Sequence, residues 1–272
     1  MKILLLGGTA DARYLADALH SAGLAVIYSL AGLVRVPKVD CELVVGGFTQ
    51  FGGLTNYMKQ NNIGAILDVT HPYALNMSTN AVEAAQQIGI PCWRFQRPAW
   101  HRHENDLWTE YVSDEELLIK LQGHTCPLLS AGQMSESFLQ QVLAIPSVKK
   151  VIWRTAVKPK FDLGSLSSAK PLVWLKAIGP FSYQDEYQLL EDYQIDVLVS
   201  KNSGGASTYS KLEAARDLSL PVFLHQRPTL PEVEKEFGDI EDCLKTCLRE
   251  WSKRFSRHLS PSTHPLSKDS QQ

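Results

Sequence analysis

The residues best suited to chemistry fall in four short clusters, and each cluster follows an apolar run. The first is Gly7-Gly8-Thr9-Ala10-Asp11, which follows the apolar residues 3–6 and leads into a helical run containing Arg13. A glycine turn between a buried strand and a helix presents backbone N–H groups to a phosphate. The third glycine of a G-x-G-x-x-G fingerprint is absent. The pattern therefore indicates a nucleotide site, with an ordinary strand–turn–helix junction as the alternative.

The second cluster gathers several polar side chains into one turn. Asp68, Thr70, His71 and Tyr73 follow the apolar run 65–69 and open a helix. Polar groups packed this densely are costly to bury without a function, and a helix N-terminus favours an anion. The alternative for the histidine is a structural role.

The third cluster is Ser200-Lys201-Asn202-Ser203-Gly204-Gly205, directly after another apolar strand. Lys201 supplies a cation, and the two glycines let the backbone approach a ligand closely. The alternative is a plain polar loop.

The fourth cluster is a pair of Arg-Pro dipeptides at Arg97-Pro98 and Arg227-Pro228. Each follows the last strand predicted for its half of the chain, so the two arginines are expected at equivalent places. A surface arginine beside a turn is the alternative for each.

The elements that must position these clusters alternate between strands and helices. This alternation is typical of parallel sheets with helical crossovers, which is an α/β fold. We expect one domain over residues 1–100, a second over 101–255 and a disordered tail over 256–272. Residues 97–108 are expected to form a crossover linker, and residues 231–253 a closing helix. Function in such sheets concentrates at the carboxyl ends of the strands.

Composition narrows the class of protein. The net charge of −2 gives no support for nucleic-acid binding, and no apolar run reaches the roughly 20 residues of a membrane span. The first residues lead into a strand rather than a charged leader, so we expect a cytoplasmic protein that is a monomer or a small homo-oligomer. The five cysteines are scattered without a metal-ligand set, which predicts free thiols and no metal site.

Taken together, these clusters resemble the precorrin-6A reductases, the pyridine-nucleotide-dependent reductases of corrin-ring biosynthesis. The similarity covers roughly residues 2–230, and it rests on the order and spacing of many short motifs. These motifs are residues 5–13 (LLGGTADAR), 46–48 (GGF), 52–54 (GGL), 68–74 (DVTHPYA), 77–81 (MSTNA), Arg94 with 97–100 (RPAW), 178–182 (IGPFS), 201–205 (KNSGG) with Lys211, 221–222 (PV) and 227–228 (RP).

The resemblance implies two Rossmann-like domains with the active site in the cleft between them. There a reduced nicotinamide would transfer hydride to one carbon–carbon double bond of precorrin-6A or of cobalt-precorrin-6A. The catalytic residues expected are Lys201, His71 and Tyr73. Lys201 would hold a carboxylate or stabilise charge as the double bond polarises, and His71 or Tyr73 would relay a proton. Because the substrate carries many carboxylates, the cleft should offer cations and hydrogen-bond donors, and the substrate-binding residues expected are Arg94, Arg97, Asn202 and Arg227. The cofactor-binding residues expected are Gly7, Gly8, Thr9, Asp11, Arg13, Ser29, Arg35, Thr70, Ser203, Gly204 and Gly205.

The chain departs from the family pattern at several positions. Asp11 replaces a usual Glu, and Gln133 removes a usual arginine. Asn202 replaces a usual Asp, so hydrogen bonding suits it better than acid–base work. Leu33 stands where an arginine is common, with Arg35 two residues later. Because Arg35 and Ser29 could still reach a ribose 2′-phosphate, NADPH is favoured over NADH.

Two other functions fit the same fold. A short-chain dehydrogenase is disfavoured because no Tyr-x-x-x-Lys pair stands at the right place: Tyr183 is followed by Tyr187, and Tyr57 by Asn61. A protein that binds a nucleotide or a tetrapyrrole without turnover is the remaining alternative, and Asn202 is the feature that favours it.

Overall fold

The computed structural model describes residues 1–31, 38–166 and 170–256 of the chain. Arg35 and Leu33 lie outside the described residues, as does the expected tail apart from Ser256, which ends the last helix. No helix in these ranges is both long and apolar enough for a membrane crossing. The five cysteines are buried free thiols.

The elements alternate as the sequence predicts. Two short 3₁₀ helices, Phe48–Phe51 and Ala206–Thr208, lie between the longer elements. In chain order the strands and α-helices are β1 (Lys2–Leu6), α1 (Ala10–Ser21), β2 (Val26–Leu30), β3 (Glu42–Val45), α2 (Leu54–Gln60), β4 (Ile63–Asp68), α3 (Leu75–Ile88), β5 (Cys92–Phe95), β6 (Trp108–Tyr111), α4 (Asp114–Lys120), β7 (Pro127–Ser130), α5 (Glu136–Ala144), β8 (Val151–Thr155), β9 (Leu172–Lys176), α6 (Tyr183–Asp192), β10 (Val197–Lys201), α7 (Ser210–Asp217), β11 (Val222–His225), β12 (Lys235–Phe237) and α8 (Ile240–Ser256).

The strands form two six-stranded sheets in which every pair is parallel. The first sheet has the order β12-β5-β4-β1-β2-β3, and the second has the order β6-β11-β10-β7-β8-β9. In each sheet the chain order reverses beside a central strand, which is β1 in the first and β7 in the second. Ligands bind at such reversal points, outside the carboxyl ends of the strands. The predicted fold class, with two Rossmann-like sheets, is confirmed.

Counted along the chain, β1–β6 form one half and β7–β12 the other, and the last strand of each half, β6 or β12, is an edge strand of the other half's sheet. β6 follows β5 along the chain but pairs with β11, so that Trp108 lies opposite Val222. β12 follows β11 but pairs with β5, so that Phe237 lies opposite Phe95. The chain therefore crosses twice between the sheets, once after β5 and once after β11.

This exchange corrects the expected second domain over 101–255. β12 and α8 belong to the first sheet, because the buried side chains of α8 pack with those of β1 and α1. The expected helix over 231–253 is wrong at its start, since the helix begins at Ile240 and β12 precedes it. The strand β6, at the end of the expected linker, was not predicted. Both missed strands have only three or four residues, too few to show a periodic pattern.

The core lies on both faces of each sheet. In β1, Ile3 and Leu5 face α1 and α8, whereas Leu4 and Leu6 face α2 and α3. This alternation follows from the two-residue period of a strand, and burial on both faces explains why the central strands read as continuous apolar runs.

The borrowed segment contributes a large part of this core. Trp251 of α8 is 1% exposed and stacks on Trp93 of β5, with 4.5 Å between ring centroids. Phe237 of β12 packs against the same Trp93 at 5.9 Å. The closing helix α8 therefore belongs to the hydrophobic core on one face of the first sheet.

We expect the substitution Trp251→Ala to lower the free energy of unfolding by about 3–5 kcal/mol, because it empties a fully buried aromatic site. Urea unfolding followed by fluorescence would measure the change. The matched control is Lys253→Ala, because Lys253 lies two residues after Trp251 in the same helix and its side chain is exposed. Its free energy of unfolding should stay within about 0.5 kcal/mol of the parent value. A loss below about 1 kcal/mol for Trp251→Ala would contradict the packing role of α8.

Candidate active site

The carboxyl ends of the two sheets face each other. Tyr73, in the loop after β4, reaches the ends of β10 and β11 in the second sheet. Its hydroxyl accepts a hydrogen bond from the Asn202 N–H at 2.9 Å and donates to the His225 carbonyl. The polar loops that follow the central strands of both halves therefore share one junction.

A cavity of about 610 Å³ opens at the first-sheet side of this junction. The turn after β1, the ends of β2 and β3, and one face of α3 form its walls. Five predicted site residues line it, namely Gly7, Gly8, Ser29, Thr70 and His71. The cavity lies where the chain order of the sheet reverses, which is the expected place for a dinucleotide.

The glycine turn after β1 is shaped by a tyrosine that the sequence did not single out. A Cβ on Gly7 would lie 2.4 Å from the Tyr28 ring, so only glycine fits there. The Tyr28 hydroxyl accepts a hydrogen bond from the Gly8 N–H at 3.0 Å. Gly8 has φ of +114° and open space beyond it. The turn therefore leaves room for a ligand at Gly8, while one of its N–H groups already has a partner.

Three other residues of the first cluster do not line the cavity. Thr9 caps α1, since its hydroxyl accepts from the Ala12 N–H and donates to the Val69 carbonyl. Asp11 forms an ion pair with Arg97 at 2.5 Å. Arg13 is exposed on α1. The structure thus gives Thr9 and Asp11 local partners, and their assignment to the cofactor stays a prediction.

Glycine-rich segments that belong to no predicted site residue complete the cavity. Gly46, Gly47 and Gly53 line it between β3 and α2, and Gly53 has φ of +100° with open space where a side chain would stand. Glu83 of α3 also lines the wall. The glycine pairs at 46–47 and 52–53 are visible in the sequence. The two pairs form one wall only because of the conformation of the turn between them, and their spacing in the sequence does not reveal that conformation.

Asn202 is 7% exposed and fastens the crossover after β5. Its side-chain Oδ1 accepts from the Trp100 N–H at 2.8 Å, and its Nδ2 donates to the Trp100 carbonyl at 3.2 Å. An aspartate could make only the first of these bonds, because an ionised carboxylate has no donor. An asparagine at this position therefore has a structural reason, and both ends of its amide are bonded to the protein.

The two Arg-Pro dipeptides meet where the crossovers run side by side. Arg227 donates to the backbone carbonyls of Asn202, Arg97 and Pro98, at 2.7, 2.9 and 3.3 Å. The equivalence of the two arginines expected from the sequence thus becomes a direct contact.

The close approach of the two crossovers also explains why glycine stands at positions 204 and 205. A Cβ on Gly204 would lie 2.0 Å from the Pro98 carbonyl oxygen, and one on Gly205 would lie 1.8 Å from the Arg97 guanidinium. Ser203 bonds the Thr208 hydroxyl at 3.1 Å. The structure therefore uses this loop to pack against the crossover, and a contact of these three residues with the cofactor stays a prediction.

Lys201 ends β10 with its ammonium 5.0 Å from the centre of the Tyr73 ring. Burial lowers the pKa of this lysine. Within the described part of the chain, neither Lys201 nor Arg227 is in an ion pair with a carboxylate. Both cations therefore keep their charge available for an anionic ligand.

Lys211 of α7 is a further cation, which is not among the site residues predicted from the sequence. It is 6% exposed, and its ammonium lies 5.9 Å from the centre of the Trp100 ring. Burial, reinforced by Arg154, lowers the pKa of Lys211 to about 7, although Glu186 acts in the opposite direction. From the sequence, Lys211 is named only as part of a motif that resembles the family, and no role is predicted for this residue.

His71 lies exposed to the junction and in the field of its cations. Crowding by the protein lowers the pKa of His71 to about 4, and the positive charges of Lys201, Arg97, Arg227 and Lys211 act in the same direction. The imidazole is therefore neutral at pH 7. Its Nδ1 accepts from the Tyr73 N–H at 3.4 Å, which places the proton on Nε2.

Arg94 does not face the junction with the other predicted substrate residues. It is 3% exposed and pairs with Asp68 at 3.3 Å and with Glu236 at 3.1 Å. A charge engaged in this way is not free to hold a substrate carboxylate. The position of Arg94 within the short strand β5 gave no warning, because the sequence does not show that β12 pairs beside it.

Comparisons with known proteins agree with the geometry. Residues 2–248 match the family model described as precorrin-6x reductase CbiJ/CobK. A precorrin-6A reductase from Rhodococcus erythropolis is 35% identical over 244 residues, covering 88% of this chain and 94% of that protein. A cobalt-precorrin-6A reductase from Priestia megaterium is 26% identical over 246 residues, covering 88% and 93%. A solved CobK precorrin-6A reductase has a TM-score of 0.79 at 30% identity, covering 92% of this chain and 97% of that one.

The bridge made by Tyr73 yields a prediction about stability. Tyr73→Phe would leave the Asn202 N–H and the His225 carbonyl without their partner, and we expect the free energy of unfolding to fall by about 1–3 kcal/mol. Tyr14→Phe removes an exposed hydroxyl that bonds Glu241 and is the matched control, with an expected change within about 0.5 kcal/mol. Equal urea midpoints for the two variants would refute the bridge.

Proposed function

We propose the function from one premise: the chain belongs to the precorrin-6x reductase CbiJ/CobK family. It is an oxidoreductase that reduces one carbon–carbon double bond of the precorrin-6A macrocycle with a nicotinamide cofactor. One structural observation supports this proposal. The Tyr73 bridge brings a nucleotide-sized cavity of one sheet against a group of cations from the other.

The lining of the cavity indicates which residues would hold each end of the cofactor. Thr70 and His71 would hold the nicotinamide end, because the hydride must reach a substrate at the junction. Ser29 and the glycine-lined wall at Gly46 would hold the adenosine end. When bound, the cofactor supplies the hydride, and the protein supplies position and electrostatics.

The substrate fits the cations of the junction. A macrocycle with many carboxylates needs charged donors, and the positive charges of Lys201, Arg227 and Lys211 all act on His71. In the described ranges, no salt bridge joins any of the three to a carboxylate. Because the net charge of the chain is −2, attraction of a polyanion must come from this local cluster. Arg97 is shared, since it also holds Asp11.

The predicted catalytic residues take different roles. Lys201 would stabilise negative charge on the substrate as hydride adds to one carbon of the double bond, and the neighbouring carbon would then take a proton from solvent. Among the described residues, no carboxylate pairs with the Lys201 ammonium. His71 is neutral at pH 7 and would orient a substrate group through its Nε2–H. The Tyr73 hydroxyl already donates to one backbone group and accepts from another, so Tyr73 would position the Lys201 loop rather than donate a proton.

The relatives favour a metal-free substrate. Those named as precorrin-6A reductases are 33–36% identical to this chain, and those named as cobalt-precorrin-6A reductases are 24–26% identical. We therefore place this chain with the metal-free branch. A protein that only binds its ligand is disfavoured, because Asn202, the feature that suggested it, has a structural role.

The function is tested by giving the purified protein NADPH with precorrin-6A and, separately, with the cobalt form. We expect substrate-dependent oxidation of NADPH with the metal-free substrate at the higher kcat/KM. Tight binding of the macrocycle with no oxidation of the cofactor would support the binding protein instead.

Lys201 offers the sharpest test of the cation cluster. We expect Lys201→Ala to lower kcat/KM for precorrin-6A by about 10- to 100-fold, the loss typical of one hydrogen bond to a charged group. A rise in KM alone would indicate that the lysine binds a carboxylate, and a fall in kcat would indicate charge stabilisation during hydride transfer. Lys149→Ala on an exposed side chain is the control. Unchanged turnover and affinity in Lys201→Ala would remove this residue from the site.

The choice of NADPH over NADH is proposed from the sequence. Among the described residues that line the cavity there is no lysine or arginine, so a cation for a ribose 2′-phosphate must come from elsewhere. Arg35, just beyond β2 in the chain, is the candidate.

We expect Arg35→Ala to weaken NADPH binding about tenfold, as the loss of one charge-assisted contact would, and to leave NADH binding unchanged. Calorimetric titration with both cofactors measures the ratio. Arg249→Ala, with a side chain 60% exposed on α8, is the control. An equal effect on both cofactors would assign Arg35 a role outside the 2′ position.

A further inference from the structure

We infer that Thr70 recognises the carboxamide of the nicotinamide ring as a pure hydrogen-bond acceptor, and that the buried pair of Asp68 and Arg94 holds it in that state. This inference rests on the proposed function, because it requires a nicotinamide in the cavity. It assigns a positioning role to Asp68 and Arg94, which stand behind the cavity wall and do not line it.

Asp68 is the buried centre of the arrangement. It is 1% exposed and ends β4 at the reversal point of the sheet. Its Oδ1 accepts from the Thr70 N–H at 3.1 Å and from the Thr70 hydroxyl at 2.7 Å. Its Oδ2 accepts from the Ser78 hydroxyl at 2.6 Å and from Arg94 Nε at 3.3 Å. Four donors converge on one carboxylate, which fixes its orientation.

This convergence decides what Thr70 can offer to a ligand. A threonine hydroxyl has one hydrogen and two lone pairs. The hydrogen points to Asp68, and the neighbouring Ser78 hydroxyl, 3.4 Å away, also directs its hydrogen to Asp68. The Thr70 oxygen therefore presents only lone pairs to the cavity, and a ligand must bring the hydrogen.

The position of Thr70 in the cavity indicates which part of the cofactor it would contact. Thr70 lines the cavity beside Gly7, one residue before His71. The backbone there is fixed, since the Val69 N–H bonds the Leu6 carbonyl across the reversal point at 2.9 Å. This end of the cavity is the one next to the second sheet, where the reacting ring must lie for hydride to reach the substrate.

The amide N–H₂ of the carboxamide is the donor of the ring itself. A hydrogen bond from it to Thr70 would fix the rotation of the ring about its glycosidic bond, and with it the face that offers hydride. Binding should therefore discriminate against a ring in which a methyl ketone replaces the amide, because such a ring keeps the carbonyl and loses the donor.

The experiment compares the dissociation constants of NADPH and of reduced 3-acetylpyridine adenine dinucleotide phosphate, by fluorescence titration without substrate. For the parent protein we expect NADPH to bind about tenfold more tightly, the effect of about 1.4 kcal/mol. Thr70→Val should bring that ratio close to one. Thr70→Ser keeps the hydroxyl and should retain most of the preference.

Thr55→Val is the matched control. Thr55 also lines the cavity, but its hydroxyl donates to Gln87 at 3.0 Å, so the ratio should stay at the parent value. A parent ratio near one, an unchanged ratio in Thr70→Val, or no binding of either dinucleotide to the parent would each overturn the inference. Urea unfolding of Thr70→Val confirms that the variant folds.

A failure of the proposed function gives a different result. Discrimination at Thr70 with no precorrin-6A-dependent oxidation by the parent would reject the reaction while keeping the nicotinamide site. Turnover by the parent with the ratio unaffected in Thr70→Val would keep the reaction and reject the role of Thr70.

Discussion

The structure depends on the contact between the carboxyl edges of two parallel sheets. The Tyr73 hydroxyl joins the loop after β4 to the backbone of Asn202 and His225, and Arg227 ties the two crossovers together through three carbonyls. These bonds use backbone groups at strand ends, which stay in place as long as the sheets do. A cofactor site formed by one sheet can therefore face a substrate site formed by the other at a fixed distance.

The same bonds explain how cations remain available in a chain of nearly neutral net charge. Arg227 is held by carbonyl oxygens, and Lys201 lies over an aromatic ring, so no carboxylate in the described part of the chain cancels either charge. Arg94 and Arg154 show the contrasting case, because Asp68 and Glu186 neutralise them inside the sheets. An unpaired, partly buried cation is unfavourable in the free protein, and a polyanion at the junction would relieve that cost.

The sequence predicted the α/β class, the alternating elements and the loops that carry the site, because long apolar runs and glycine turns are local signals. It did not predict the exchanged strands, since nothing local tells β6 or β12 which sheet to join. The reading of the site meets the same limit. Gly204 and Gly205 look like a ligand loop, and in the structure the absence of a side chain at both leaves room for Pro98 and Arg97. Arg94 looks like a free cation because its partner Glu236 arrives on the borrowed strand.

The exchange of strands bears on the site as well as on the fold. Each sheet needs its sixth strand from the other half, so neither half can complete its edge alone, and both crossovers must pass through the junction. Pro98 and Arg227 lie on those crossovers and press against the Lys201 loop. The segments that close the sheets are therefore the segments that shape the cleft. If β12 became disordered, the position of Arg227 would change as well, because the chain runs from this cation of the proposed substrate site directly into that strand.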